Sequence, residues 1–453
     1  MLKLGLLIVR ATGKVVEQLK YLMGAPVSLR RDLLKGVGGV AGVKLVNLAV
    51  VFISSILLAR SLGPNGYGAF AFIMSLASSL SLFSSLGLVE LMVREIAKYE
   101  QSQQWGLIRG LFYRSHQFVV SIGFLLTLLI VVAGIIFPSS DELDRWRLFL
   151  IASPLILVVA LTNLRMSTLR GFRRVVLGAI PEMLIRPTIF LVALLWLLFV
   201  EKITIESVIL SQVVAAFVAL LVGALFCRRV LSGGVKTVAI KYNDQEWIKA
   251  LVPFMGLSSV SFLNVEFVNI FLGFSGTNQD VAMFRAAANI ALIVALPLTL
   301  IEMVISPYIT RLYVAGELGK LQRLTQIASL AALSGSVIPT IVLLIFGAEI
   351  ITIFYGSDYV PAVGTLVVIV IGYLIVNVIG LSMQLLYATK YHASAFRISA
   401  YGAFITVLLC LFLIPFFGAL GAGIVLGFGK ALRAALFVVE ARRCLKIKTS
   451  LIW

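Results

Sequence analysis

The run LLARSLGPNGYGAFAF, residues 57–72, decides how this chain folds. It joins two apolar stretches. The first, Leu34 to Leu58, has 25 residues. A helix rising ~1.5 Å per residue needs about 20 of them to cross a hydrocarbon core of ~30 Å. After Arg60 the residues Gly63, Pro64, Asn65, Gly66 and Gly68 break that helix, because glycine frees the backbone and proline ends the helix. The second run, Tyr67 to Val89, returns across the membrane and ends in the charged segment ELMVREIAKYE at 90–100. The expectation is a membrane hairpin.

Composition agrees. The chain is 60% hydrophobic and 13% charged, with mean hydropathy +1.07, whereas soluble domains carry about 25% charge. The net charge of +18 does not point to nucleic acid. The basic residues sit in short loops between apolar runs and form no stripe interleaved with aromatics, so they report membrane topology. The three cysteines, Cys227, Cys410 and Cys444, imply no disulfide framework. Residues 1–32 lack the apolar core of a signal peptide, since Leu4 to Val9 is too short. Their scattered Lys and Arg read as a cytoplasmic helix lying on the anionic membrane face.

Apolar runs predict twelve spans, near 34–58, 67–89, 112–137, 148–168, 177–200, 204–226, 250–273, 281–307, 325–346, 362–387, 395–416 and 419–440. With both termini placed in the cytoplasm, 29 of the 38 Lys and Arg fall on the inside. Only Arg60, Arg145, Arg147 and Lys202 fall outside, as the positive-inside rule requires. The remaining five, Lys44, Arg186, Arg285, Lys430 and Arg433, lie within spans. The expected organisation is a basic segment at 1–32, a six-helix lobe at 33–226 and a cytoplasmic linker at 227–249. A second six-helix lobe follows at 250–441 and a basic tail at 442–453. Six spans per lobe make any repeat parallel, about an axis along the membrane normal. GFSGTNQDVAMFRAA (273–287) is a weak counterpart of LARSLGPNGYGAFAF, and it sets Glu302 against Glu90.

LLARSLGPNGYGAFAF with SLGLVELMVREIA (85–97) resembles the opening of the polysaccharide-transporter branch of the multidrug/oligosaccharidyl-lipid/polysaccharide (MOP) flippase superfamily, the Wzx-type flippases. DVAMFRAAANI (280–290) resembles that family's eighth helix, and LYATKYHASAFRISAYGAFITVLLCLFLIPFFGALGAGIV (386–425) its helices 10 to 12. The resemblance implies an all-α polytopic protein of the cytoplasmic membrane that flips a polyprenyl-diphosphate-linked oligosaccharide by alternating access. It implies as partners that lipid-linked glycan, membrane lipids, and the polymerase and glycosyltransferases of the same pathway. A drug or metabolite antiporter of the same superfamily is the alternative, and a membrane-embedded glycosyl- or acyltransferase comes third.

No catalytic constellation is visible. The only histidines, His116 and His392, belong to no cluster with metal spacing, so neither a metal nor a cofactor is expected. Gly429-Lys430 is not a P-loop, because Ile424 and Ala431 stand where glycine and Ser or Thr are needed. Gly38 with Gly42, and Gly423 with Gly427, are spaced for close helix packing.

Ionisable groups inside spans are costly and mark candidate sites. Lys44 lies ~14 Å beyond Lys35, too deep to snorkel easily. It either pairs with a carboxylate or offers its charge to an anion. Glu182 and Arg186, four apart between Pro181 and Pro187, suit an intrahelical ion pair that leaves guanidinium donors over. Arg285 and Glu266 lie at similar depth on consecutive spans and either bridge each other or serve a substrate. Lys430 is near the middle of the last span. The candidate cationic contacts for an anionic head group are therefore Lys44, Arg186, Arg285 and Lys430. The candidate coupling or pairing carboxylates are Glu90, Glu182, Glu266 and Glu302.

Overall fold

The computed structural model describes residues 27–136, 145–231 and 238–445. The surface helix expected at 1–32 falls mostly outside these, as do the loop at 141 and the end of the basic tail. The described residues are helical with no strand among them. The helices are α1 Val27–Ser84, α2 Leu88–Gln101, α3 Trp105–Ile136, α4 Arg145–Ala152, α5 Pro154–Gly171, α6 Val175–Ile180, α7 Arg186–Phe199 and α8 Ile205–Leu231. After the linker come α9 Asp244–Val265, α10 Phe267–Ser275, α11 Asn278–Val314, α12 Leu318–Ile345, α13 Gly347–Phe354, α14 Val363–Ile379, α15 Ser382–Tyr387 and α16 His392–Leu445.

Among the described residues nine helices are long and apolar enough to cross a membrane, or ten if the bent pair α9–α10 is one span. The predicted hairpin is a single helical run interrupted at one residue. Gly63 takes φ 65° and ψ 178°, a left-handed φ that glycine adopts at little cost, and Pro64 follows immediately. The pair predicted at 395–416 and 419–440 is likewise one run, α16, broken at Gly418 with φ 51° and ψ −125°. The predicted span 362–387 is broken at Gly380, whereas 148–168 carries only a turn at Ser153 and 177–200 only a π-turn at Pro181–Ile185, both with helical backbone.

Contacts gather the chain into two units. In the unit Gly42–Ile270, α5 packs against α2, α3 and α8. The span α4–α5 is its most enclosed, with 56% of the apolar window buried against 11% for α1. Its core joins Leu91, Met92 and Ile96 of α2 to Ile108 and Leu111 of α3, Leu164 of α5 and Trp247 of α9. Burying such side chains stabilises by about 1.5–3 kcal/mol each at a water-facing end, less where the alternative is lipid. The sequence reading puts the helix at 250–273 at the head of the second lobe. In the structure α9 packs on α2 of the first unit instead. The Arg94 guanidinium lies 5.0 Å from the centre of the Phe254 ring. The Trp247 indole N–H donates to the Tyr99 hydroxyl at 3.0 Å.

The other unit runs from Phe271 and also takes in the described residues of α1 up to Ala41. Here α14 packs on α11, α12 and α16. Gly427 lies so near α14 that a Cβ there would sit 2.8 Å from the Val368 carbonyl, and Gly423 meets Thr365 in the same way. The expected packing role of that glycine pair therefore holds. Gly42 differs, since its Cβ position faces open space.

Candidate functional site

The membrane-embedded charges are the chemistry the fold has to position. In the first unit they centre on the α6–α7 junction. Pro181–Ile185 forms a π-turn, in which the N–H of Arg186 reaches the carbonyl of Pro181. Pro187 has no N–H, so it leaves the carbonyl four residues back, that of Met183, without its helical donor. Asn47 of α1 takes that place, its side-chain amide donating to Met183 at 2.8 Å. Beside this contact Arg186 and Glu182 form the expected intrahelical ion pair. It engages one carboxylate oxygen only. The other, Oε2, is buried and has no hydrogen-bond partner among the described residues. Lys44 stands three residues before Asn47, hence one turn away on the same face of α1. It is partly buried and makes no ion pair or hydrogen bond to any described residue. The carboxylate pairing weighed for it is absent among those residues.

The remaining candidates of this unit do not converge there. Glu90 opens α2 and accepts from the Ser258 hydroxyl at 3.4 Å. Glu266 sits at the bend between α9 and α10, its N–H bound to the Phe262 carbonyl. A buried carboxylate that sequence reasoning passed over is Glu95, whose side chain is 6% exposed and is clasped by Arg94 at 2.7 Å and Lys98 at 3.6 Å. Burial pushes the nearby Tyr99 phenol up from its ordinary range, with the Glu95 charge adding to the effect.

In the other unit Lys430 of α16 lies against Tyr373 of α14. Its Nζ donates to the hydroxyl at 3.2 Å and is 4.6 Å from the ring centre. An aromatic face and a phenolic oxygen hold an ammonium in place without neutralising it. Arg285 and Glu302 are both partly buried on α11. Asp280 has a structural duty: with Thr277 it forms a capping box at the start of α11. It also accepts from the N–H of Ala419 at 3.2 Å, just past the break at Gly418. Thr-x-x-Asp ahead of an apolar run is the readable signal for the first of these contacts. Nothing in the sequence pairs Asp280 with Ala419.

Among the described residues no three His, Cys, Asp or Glu side chains form a metal-sized group. The arrangement supplies cationic contacts and carboxylates inside apolar helices.

The fold is similar to those of solved transporters of the MOP superfamily. An inward-facing multidrug resistance transporter of the MATE family superposes with TM-score 0.69 at 13% identity, covering 90% of this chain and 98% of that one. The lipid II flippase MurJ, in an inward closed conformation, gives TM-score 0.69 at 15% identity over 88% of this chain and 86% of its own. A MOP superfamily transporter from Pyrococcus furiosus, described as having a binding pocket of reverse polarity that suggests a different function, gives TM-score 0.62 at 15% identity, over 91% and 96%. No curated protein matches by sequence. Residues 33–313 match the family described as polysaccharide biosynthesis protein, well over half of the chain, and the chain belongs to that family.

Proposed function

We propose that this protein is a flippase that carries a polyprenyl-diphosphate-linked oligosaccharide from the cytoplasmic to the outer leaflet of the inner membrane by alternating access. The observation that carries the reading is Lys44. In a polysaccharide biosynthesis family member it is a cation inside a span with no carboxylate partner among the described residues. An unpaired charge in hydrocarbon is costly, and an anionic head group passing it offsets that cost. The lipid tail stays in hydrocarbon while diphosphate and glycan move along protein donors.

In this reading Lys44 and Lys430 contact the diphosphate, with Arg186 and Arg285 as further cationic contacts. Among Glu90, Glu182, Glu266 and Glu302, the carboxylate best placed to take a coupling proton or ion is Glu182, whose second oxygen has no hydrogen-bond partner among the described residues. Counting each half of α1 and α16 as a span, and α9–α10 as one, gives twelve spans with both termini cytoplasmic, as the charge distribution supports. The polymerase and glycosyltransferases of the pathway are the protein partners. The chain acts as a carrier and not as an enzyme.

The test is transport by purified protein in vesicles, with a fluorescent polyprenyl-diphosphate sugar as reporter. Protein-dependent transfer between leaflets is the expected result. Failure to move it, together with extrusion of a cationic dye, would favour a drug antiporter instead; one protein of similar fold is described as a multidrug resistance transporter.

A further inference from the structure

A cavity of 450 Å³ opens in the first unit where α3, α5 and α8 carry their basic residues. Arg109, Arg165 and Arg228 line it together with Phe112, Tyr113 and Leu231, and no carboxylate among the described residues does. Two of the arginines are held by backbone. Nη1 of Arg109 donates to the Val238 carbonyl at 2.9 Å, and Nη1 of Arg165 to the Leu220 carbonyl. Each such bond uses one of five guanidinium donors and none of the charge. Arg228 is exposed and has no hydrogen-bond or ion-pair partner among the described residues. Three like charges around one cavity repel unless an anion sits between them.

The surroundings say what kind of anion. Along α8 the side chains of Leu210, Val214, Phe217, Leu221 and Leu225 are exposed. Their steps of three and four residues put them on one helix face, and Arg228 continues that face at its end. Tyr113, also exposed, stands on the α3 side of the same cavity. An apolar track leading into a cluster of guanidiniums matches a molecule with a long hydrocarbon chain and a phosphate head.

We propose that this cavity is a site for the phosphate of an anionic membrane phospholipid, with an acyl chain lying along the α8 face. It is independent of the transport reading, since none of its residues belongs to the cationic contacts assigned to the substrate.

The full chain in detergent, titrated with phosphatidylglycerol, phosphatidylcholine or inorganic phosphate and followed by native mass spectrometry, tests it. Wild type should retain phosphatidylglycerol in preference to phosphatidylcholine. Arg228→Gln should weaken that retention and Arg109→Gln with Arg228→Gln reduce it by about tenfold or more, because charge-assisted bonds to phosphate are lost. In lipid-free detergent the double variant should melt below wild type, because the Arg109 bond to Val238 is lost, and it should gain little on adding phosphatidylglycerol. Arg228→Gln alone breaks no hydrogen bond or ion pair among the described residues and separates ligand loss from misfolding. Equal retention by wild type and both variants would overturn the site. Displacement of the lipid by millimolar inorganic phosphate would overturn the lipid as its occupant and assign the cavity to soluble phosphate.

Discussion

Asn47 donates its side-chain amide to the carbonyl of Met183, the one that Pro187 leaves without a helical donor. Replacing Asn47 tests how much the α6–α7 junction depends on it. Asn47→Leu removes the donor and leaves that carbonyl unsatisfied, at a cost of about 1–3 kcal/mol. Asn47→Asp sets an acceptor against an acceptor and should cost more. Thermal unfolding in detergent should therefore rank Asn above Leu above Asp. An Asp variant as stable as wild type would show that Met183 does not need the donor.

In the same unit, the linker lies on α3 through a second backbone contact. The N–H of Lys241 donates to the Gly106 carbonyl at 3.0 Å. One turn on, a Cβ added at Gly110 would sit 1.9 Å from the Lys241 carbonyl oxygen. Arg114 ties the next residues down, with its charge 3.1 Å from Asp244 and its plane 4.8 Å from the Tyr242 ring. Gly110→Ala should lift this segment from α3 and destabilise by about 1–3 kcal/mol, the usual range for overpacking. Trypsin cleavage at Lys241 should accelerate with it. Gly42→Ala, where the added methyl meets nothing within 4 Å, should instead stabilise by about 0.5–1 kcal/mol. Similar melting shifts for the two variants would contradict this docking.

Asp280 serves two helices at once, capping α11 through Thr277 and accepting from Ala419 at 3.2 Å beyond the break in α16. Asp280→Ala removes both, and a lost cap alone costs about 0.5–2 kcal/mol. Asp280→Asn keeps an acceptor for Ala419 and should recover part of the loss. If Asn is no better than Ala, the Ala419 contact adds nothing.

The fold was legible because its strongest signals are long and additive. Twenty-residue apolar runs and the one-sided placement of Lys and Arg need no tertiary knowledge, and the glycines that break α1 and α16 lie within or beside the predicted turns. Glu182 with Arg186 was legible for the same reason, being a contact four residues long. The pairings of Asn47 with Met183, Lys430 with Tyr373 and Asp280 with Ala419 were not. Each joins positions tens to well over a hundred residues apart, through a neutral or single polar partner that leaves no periodicity. The packing of α9 on α2 was hidden likewise. A span count divides the chain evenly, whereas Trp247 with Tyr99 and Arg94 with Phe254 are particular contacts between surfaces that hydropathy does not distinguish.

The two membrane lysines offer the most direct test of the proposed transport. Lys44 has no carboxylate among the described residues, and Lys430 has only Tyr373. Removing one member of a buried ion pair strands the other and destabilises by about 3–5 kcal/mol, which lowers abundance. Neither lysine has such a partner to strand among the described residues. Lys44→Ala and Lys430→Ala should therefore reach the membrane at near wild-type levels while losing transport of the lipid-linked sugar. Lys44→Arg and Lys430→Arg keep the charge and should retain part of the activity, Lys430→Arg less so because a planar guanidinium replaces a compact ammonium against Tyr373. Tyr373→Phe keeps the ring and removes the hydroxyl, so it should weaken transport mildly. Quantitative membrane blots alongside initial transport rates in vesicles separate these outcomes. Loss of protein from the membrane in the Ala variants would point to a structural role for the charge. Normal levels with normal rates would remove both lysines from the substrate path.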